Sequence, residues 1–300
     1  MMETWIPLSL LTVILCGVSG IISKIVLRSV PSSSLMMASF LIIMPTSLFL
    51  LIAYIWKVGL EGIEFTYVLL GLATAFMANL GFFLYFDALD RGPLTIVGSV
   101  TAAYPVIIIV LAILLLGETL TLLQGAGVTG ILVGVVALTY IHGLSGEKTA
   151  CPPVAIALSI MAFLCWGAWG VMLKTALESL DVVLYIGLSC LVMPFLTFAY
   201  LRLKGKNLFS FGEFRYLFKA SAVSIPAVLA IISIEAEQLG FFSETFAVST
   251  GPASLVFPVV ASYPVVTIVL AFFLLHERIS MKEYLLIALV LAGIIIISAV

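Results

Sequence analysis

Three carboxylates and one amide lie inside a single apolar stretch of the chain, at residues 220–246. They are Glu235, Glu237, Gln238 and Glu244. An ionisable side chain surrounded by hydrocarbon costs several kcal/mol unless it is paired or hydrated, so such residues often mark a functional site. Glu237 and Glu244 are seven positions apart and share one helical face, whereas Glu235 and Gln238 share another.

A carboxylate in this stretch would bind an amino or cationic group, or carry a coupling proton. Glu237 is the first candidate, because it is expected near the middle of its helix. The structural alternative is a carboxylate at a helix end, or one paired with a nearby lysine.

Neutral polar and aromatic side chains in other apolar stretches are further candidates for substrate contact. Asn79 and Tyr85 could orient a substrate, although interhelical hydrogen bonds explain such residues equally well. Trp166 and Trp169 could stack on a ligand or on its cationic group, with interfacial anchoring as the alternative.

Two tyrosine–proline pairs occur in the middle of apolar stretches, at Tyr104-Pro105 and Tyr263-Pro264. Proline removes a backbone donor and bends a helix. Bent helices at matching points indicate a central site in transporters. We therefore expect helix breaks at Pro105 and Pro264, with Tyr104 and Tyr263 lining the site; a kink that only improves packing is the alternative.

The elements that must position these residues are membrane-spanning helices. The 300-residue chain is 63% hydrophobic and 9% charged, and its mean hydropathy is +1.32. Soluble domains carry roughly 25% charged residues, so an ordinary soluble protein is excluded. The formal net charge of −2 excludes a basic surface for nucleic acid.

Charged and turn residues divide the chain into ten apolar segments, most of them 20 to 24 residues long. A membrane-spanning helix needs about 20 apolar residues. We predict an all-α integral membrane protein with ten transmembrane helices, at residues 5–27, 33–56, 66–87, 94–116, 121–142, 153–173, 181–201, 220–246, 253–275 and 281–300.

The chain contains one five-helix unit twice. Residues 79–118 match 238–277 at an offset of 159, with 20 of the 40 positions identical. We predict two repeats, residues 1–146 and 147–300. Nearer the front the offset is about 150, and the matched pairs there are Gly17 with Gly167, Gly20 with Gly170, and Lys24 with Lys174.

A repeat that crosses the membrane five times hands the chain to its successor on the opposite side, so the second repeat is inverted. Inverted repeats are the common plan of secondary transporters, because the two halves can exchange conformations and open a central site to each face in turn. Duplication for structure alone is the alternative.

The proline-containing span of each repeat ends in a related motif, Leu-Leu-Leu-Gly-Glu at 114–118 and Leu-Leu-His-Glu-Arg-Ile-Ser at 274–280. Together with the Tyr-Pro-Val pairs and the ten-span duplication, they resemble the EamA-type members of the drug/metabolite transporter superfamily over essentially the whole chain. The resemblance implies a ten-helix bundle with a central cavity that moves small metabolites such as amino acids, nucleotide sugars or drugs. His276 stands where the family usually has glycine, which implies a slightly different turn.

The ends of the spans carry a second set of paired residues. Lys24 and Lys174 are expected to reach the lipid head groups, and Glu118 and Glu277 to close the fold. Thr121 and Ser280 are placed to cap the helices that follow them. Small residues at Ala126, Gly130 and Gly134 form a stripe for close helix contact, within the chain or in a homodimer.

The orientation in the membrane has two conflicting indications. Loops after odd-numbered spans carry eleven basic residues and loops after even-numbered spans carry two, Lys57 and Lys174. The positive-inside rule then places both termini outside the cytoplasm. The family resemblance implies that both termini are inside.

Enzyme motifs are absent from the sequence, so we predict no enzymatic activity, no metal and no cofactor. The cysteines, Cys16, Cys151, Cys165 and Cys190, are interpreted as small hydrophobic residues and not as a disulfide framework. The partners expected are the lipid bilayer, a small-molecule substrate and a coupling proton, without nucleic acid.

These patterns predict a secondary transporter of small polar metabolites in the plasma membrane, with amino acids or related amines favoured. It would act as an exporter or exchanger by alternating access. One alternative is an organic-phosphate or nucleotide-sugar exchanger, for which Lys24 and Lys174 are the only basic candidates. The other is a membrane scaffold subunit that transports nothing.

Overall fold

A computed structural model describes residues 3–30, 32–59, 61–143, 151–203, 205 and 225–299. The regular elements in these ranges are all helices. In chain order they are α1 (Trp5–Val26), α2 (Ser32–Lys57), α3 (Phe65–Leu89), α4 (Leu94–Ala102), α5 (Pro105–Leu115), α6 (Leu122–Gly143), α7 (Pro153–Leu177), α8 (Val182–Leu203), α9 (Ile225–Thr250), α10 (Ala253–Val260), α11 (Tyr263–Leu275) and α12 (Met281–Ala299).

Nine stretches of the described residues are long and apolar enough to cross a membrane. Two of them join consecutive helices, α4 with α5 (Ile96–Leu115) and α10 with α11 (Ala253–Leu275). Helix α2 contains a shorter apolar stretch, Leu41–Lys57, at the remaining predicted span. The predicted all-helical membrane architecture is confirmed.

The structure moves one predicted boundary, and two others lie outside the residues that it describes. Helix α9 runs from Ile225 to Thr250 and so continues beyond the predicted end at residue 246, which places Glu244 inside the helix. The predicted start at 220 and the predicted repeat boundary between 146 and 147 lie outside the described residues.

The tyrosine–proline pairs interrupt their helices as predicted. Helix α4 ends at Ala102 and α5 begins at Pro105, while α10 ends at Val260 and α11 begins at Tyr263. Because Pro105 has no N–H, it cannot bond to the carbonyl of Thr101; the backbone N–H of Tyr104 binds that oxygen instead, at 3.0 Å. Each break lies midway along its span.

The packing of the helices follows the repeat. Helix α1 packs against α9 and α11, and α7 packs against the equivalent helices α3 and α5; α2 packs on α8, and α6 on α12. Glycines permit these approaches: a methyl group at Gly17 would lie 2.5 Å from Val266, and one at the equivalent Gly167 would lie 2.5 Å from Ile107. Each half therefore completes the other.

The helix starts and turns at the span ends are also paired. Thr121 and Gln124 bond reciprocally through side chain and backbone, as do Ser280 and Glu283, so both predicted caps are present. Gly117 has φ 68° and the equivalent His276 has φ 54°. The turn at 276 thus keeps the left-handed conformation without glycine.

The small-residue stripe of α6 faces two environments. Gly134 contacts Val290 of α12, and Gly127 lies against Gly293 of the same helix. Ala126 and Gly130 line an open apolar groove beside Leu289. The stripe therefore packs within the chain along one edge.

Candidate functional site

Glu237 lies midway along α9 and is exposed, although its neighbours belong to the interior of the bundle. Its carboxylate interacts with the Ser19 side chain of α1. The hydroxyl oxygen of Ser19 lies 3.3 Å from that of Ser233, which in turn lies 2.6 Å from that of Ser23. A chain of serines thus fixes the α1 surface opposite Glu237.

Glu244 lies two turns along the same face of α9 and is buried, with 8% of its surface exposed. It interacts electrostatically with Glu237 and with the tyrosines at the two helix breaks, Tyr104 and Tyr263. The predicted pairing of Glu237 with Glu244 on one face is present in the structure.

Tyr263 and Cys16 complete this side of the site. Tyr263 is 42% exposed, yet it interacts with Glu237, with Cys16 of α1 and with Tyr85 of α3. Its side chain therefore lies among groups from three other helices. We call Cys16, Ser19, Glu237, Glu244 and Tyr263 the acidic wall.

Three aromatic side chains stand opposite. The Trp166 ring centroid lies 5.6 Å from that of Tyr85 and 5.9 Å from that of Tyr104. Tyr85 and Tyr104 each interact electrostatically with Tyr263 of the acidic wall, so the two sets lie near one another. We call Tyr85, Tyr104 and Trp166 the aromatic wall.

The two walls occupy equivalent positions in the two repeats. At the offsets of 150 and 159 found in the sequence, three residues of the aromatic wall correspond to three of the acidic wall. One symmetric scaffold thus presents two chemically different surfaces. The equivalent pairs are Trp166 with Cys16, Tyr85 with Glu244, and Tyr104 with Tyr263.

The structure leaves four predicted residues outside these walls. Gln238 is buried, and its amide nitrogen and oxygen have no hydrogen-bond partner in the described part of the chain. Asn79 donates to the Ala75 carbonyl of its own helix, at 2.8 Å. Trp169 is buried against Phe257, at 5.3 Å between ring centroids.

Glu235 is the fourth. It is half-buried and lies two positions before Glu237, which places it on the opposite side of α9. Of the three carboxylates in this helix, Glu237 and Glu244 belong to one site and Glu235 does not.

Sequence reasoning missed Ser19 and interpreted Cys16 only as a small hydrophobic residue. Single small polar residues in an apolar helix give no distinct signal, because they also pack well in helix interfaces. The internal repeat could have identified both residues, because Cys16 and Ser19 are equivalent to the two candidate tryptophans, Trp166 and Trp169.

The lysines at the span ends bind the protein and do not reach for head groups as expected. Lys24 pairs with Glu277 at 2.9 Å. Lys174 donates to the backbone carbonyls of Val248 and Gly251, at 2.9 and 2.8 Å. Glu277 lies in the turn after α11, and Val248 and Gly251 lie at the end of α9 and just after it, so each lysine binds polar groups where a neighbouring helix ends.

The walls define the chemistry of the site. Two carboxylates can hold an ammonium group, and aromatic faces attract both cations and apolar groups. The described residues of the two walls include no basic side chain. Nor do the described residues contain a group of three His, Cys, Asp or Glu side chains arranged to hold a metal ion.

Comparison with known families decides the class of protein. The model of the EamA-like transporter family matches residues 3–140 and again residues 153–299. The chain belongs to the EamA-like transporter family. The family resemblance predicted from the repeated motifs is thereby confirmed, and each predicted repeat carries one match. This EamA-like protein is a membrane transporter of the drug/metabolite type, in a family of transporters and not of enzymes.

A solved crystal structure shares the fold of this EamA-like transporter. The two align with a TM-score of 0.73 over 97% of this chain and 96% of the other, at 17% sequence identity. At that identity the likeness concerns the fold alone. None of the curated proteins searched matches the chain.

Proposed function

We propose that this protein is a secondary transporter of small polar metabolites that carry an amino group, namely amino acids and related amines. It acts as an exporter or exchanger in the plasma membrane. The two repeats, residues 1–146 and 147–300, exchange conformations so that the central site opens to each face in turn.

The observation that supports this proposal is the pairing of an acidic wall with an aromatic wall. Glu237 and Glu244 would bind an ammonium group, and Trp166 with its neighbouring tyrosines would contact the rest of the molecule. Glu237 is the group more open to a substrate, because it is exposed whereas Glu244 is buried.

Glu237 is also the proposed carrier of a coupling proton. A single carboxylate that holds either a proton or the substrate's amino group makes the two compete, and competition at one site is sufficient to couple their movements. No cofactor or catalytic step is required for this exchange.

The alternative of an organic-phosphate or nucleotide-sugar exchanger has less support. Lys24 is bound to Glu277, and Lys174 to two backbone carbonyls, so neither lysine is available to bind a phosphate in the site.

A homodimer stays a prediction; its contact would be the groove beside Gly130.

The test is a release assay. Proteoliposomes are loaded with a mixed pool of amino acids, amines and organic phosphates, and mass spectrometry follows which compounds leave, with and without a proton gradient. We expect selective, gradient-dependent loss of compounds with an amino group.

Protein-free liposomes and the Glu237→Gln variant are the controls. Loss of organic phosphates alone would contradict the assigned substrate class. If inserted, folded protein releases nothing, and no compound raises its unfolding temperature as a bound ligand would, the scaffold alternative would replace transport.

A further inference from the structure

The two ends of the bundle carry the same residue types but bond them differently. One end holds Glu118, Lys174 and Gly251, and we call it the Glu118 side. The other holds their repeat equivalents Glu277, Lys24 and Gly92, and we call it the Glu277 side.

On the Glu118 side, a glutamate and a lysine hold the junction between α9 and α10. The two carboxylate oxygens of Glu118 accept hydrogen bonds from the backbone N–H groups of Ala253 and Ser254, at 2.7 and 2.8 Å. Lys174 donates to Val248 and Gly251 just before them. The residues of α10 are all buried.

On the Glu277 side, the equivalent glutamate and lysine bind one another. Both carboxylate oxygens of Glu277 lie 2.9 Å from the Lys24 ammonium. The side chains of this pair are 39% and 33% exposed. The equivalent helix α4 is less buried than α10, since Ile96, Ser99 and Val100 are only half-buried.

We propose that these two bonding patterns are the two positions of one latch, and that they exchange sides when the transporter opens to the other face. In the exchanged state, Glu277 leaves Lys24 and accepts from the backbone N–H groups of Leu94 and Thr95. Lys24 then donates to the carbonyls of Leu89 and Gly92, and Glu118 pairs with Lys174. This inference rests on the proposed alternating access to the site.

The exchange requires only short movements. Lys174 already lies within electrostatic range of Glu118, so the pair can form when α10 withdraws. The first N–H groups of a helix have no partner within the helix and are stabilised by an acceptor at its start. A glutamate released from one helix start on one side is thus matched by a glutamate engaged on the other.

The two patterns contribute unequally to stability, which makes the latch testable. A carboxylate on buried N–H groups at a helix start stabilises more than a partly exposed ion pair. Removing the charge of Glu118 therefore weakens the observed state more than the exchanged one, whereas removing the charge of Glu277 weakens the exchanged state more.

Hydrogen–deuterium exchange in lipid nanodiscs reads both helix starts without any substrate. In Glu118→Gln we expect exchange to become about fivefold faster at residues 253–256 and slower at 94–97. In Glu277→Gln we expect the opposite changes at both segments. The double variant returns toward the unmodified protein.

Glu61→Gln, in the loop before α3, is the matched control and leaves both segments unchanged. Faster exchange only beside the substituted residue, without a change at the other helix start, would mean local capping and would overturn the latch. A second readout is the labelling of Cys16, in a background with the other three cysteines changed to serine, by an impermeant thiol reagent added from either face; the two variants must shift its sidedness in opposite directions.

The latch and the proposed function fail separately. Opposite exchange shifts with no release of amino compounds would contradict the substrate assignment and keep the latch. Release of amino compounds with no reciprocal shift in either readout would contradict the latch and keep the transport function.

Discussion

Trp166 donates a hydrogen bond of 3.2 Å from its indole nitrogen to the backbone carbonyl oxygen of Ala78, and this bond ties α7 to α3 at the aromatic wall. The indole also occupies the space beside Gly81, where an added methyl group would lie 2.7 Å from the ring. The position of the aromatic wall therefore depends on the absence of a side chain at Gly81.

Gly81→Ala is expected to displace Trp166 and to raise the KM for a transported amine about fivefold, because an aromatic contact contributes on the order of 1 kcal/mol. Initial rates of release measure it. Gly125→Ala on α6 is the control, since nothing lies within 4 Å of a methyl group there. Equal KM values for the two variants would show that Trp166 does not contact substrate.

Glu237→Gln is expected to abolish transport while the protein stays folded and inserted, because the amide can neither carry the proton nor balance an ammonium charge. Glu235→Gln is the matched change on the opposite side of the same helix and should keep most of the activity. The two are compared in the release assay after equal insertion is shown. Unchanged transport by Glu237→Gln would remove the proposed role.

Ser19→Ala removes a hydroxyl that interacts with the Glu237 carboxylate. A polar contact with a charged group contributes about 1.5 kcal/mol or less. We expect a KM up to tenfold higher. Ser9→Ala, on the same helix, removes a hydroxyl bonded to the carbonyl of Trp5 at 2.8 Å and should leave KM unchanged; a rise in both variants would indicate a general disturbance of α1.

Gly293→Ala tests the contact between α6 and α12. Its methyl group would lie 2.6 Å from the backbone carbonyl oxygen of Gly127, which cannot move as a side chain would. Overpacking of this kind costs about 1–3 kcal/mol, so the unfolding temperature in detergent should fall by several degrees. Gly125→Ala should not lower it.

Much of the fold could be predicted because the length of an apolar segment, and the turn residues and prolines that end it, are local features of the sequence. Each apolar run is long enough to span a bilayer, and Pro105 breaks its helix for a reason contained in its own ring. The C-terminal end of α9 was harder to predict, since residues 247–250 are as compatible with a helix as with a loop. Tertiary packing, not local preference, extends it to Thr250.

The candidate site could be predicted only in part. Glu237 and Glu244 were found because a charged residue in an apolar segment is unusual. They are seven positions apart, which places them on the same face of a helix. Glu235 shows the limit of that argument, as the same chemistry two positions away faces elsewhere. Which neighbours contribute from other helices depends on packing, and for that reason Ser19 escaped notice.

The hydrogen bonds of Lys24 and Lys174 could not be predicted from the sequence alone. Both were expected at the lipid interface, since a flexible cation near a helix end usually reaches it. Their partners, Glu277 and the carbonyl of Gly251, lie 253 and 77 positions away along the chain. The approach of the two repeats brings Lys24 to Glu277, and the tertiary fold of the second repeat brings Lys174 to Gly251.

The division of the site into unlike walls has a consequence for how such a protein can originate. The acidic wall combines α1 of one repeat with α9 and α11 of the other, so a lone five-helix ancestor had no complete wall of either kind. Two identical copies in opposite orientations would have built the cavity with the same surface twice. Joining the copies in one gene allowed each surface to mutate independently. A pocket with one acidic wall and one aromatic wall could then evolve.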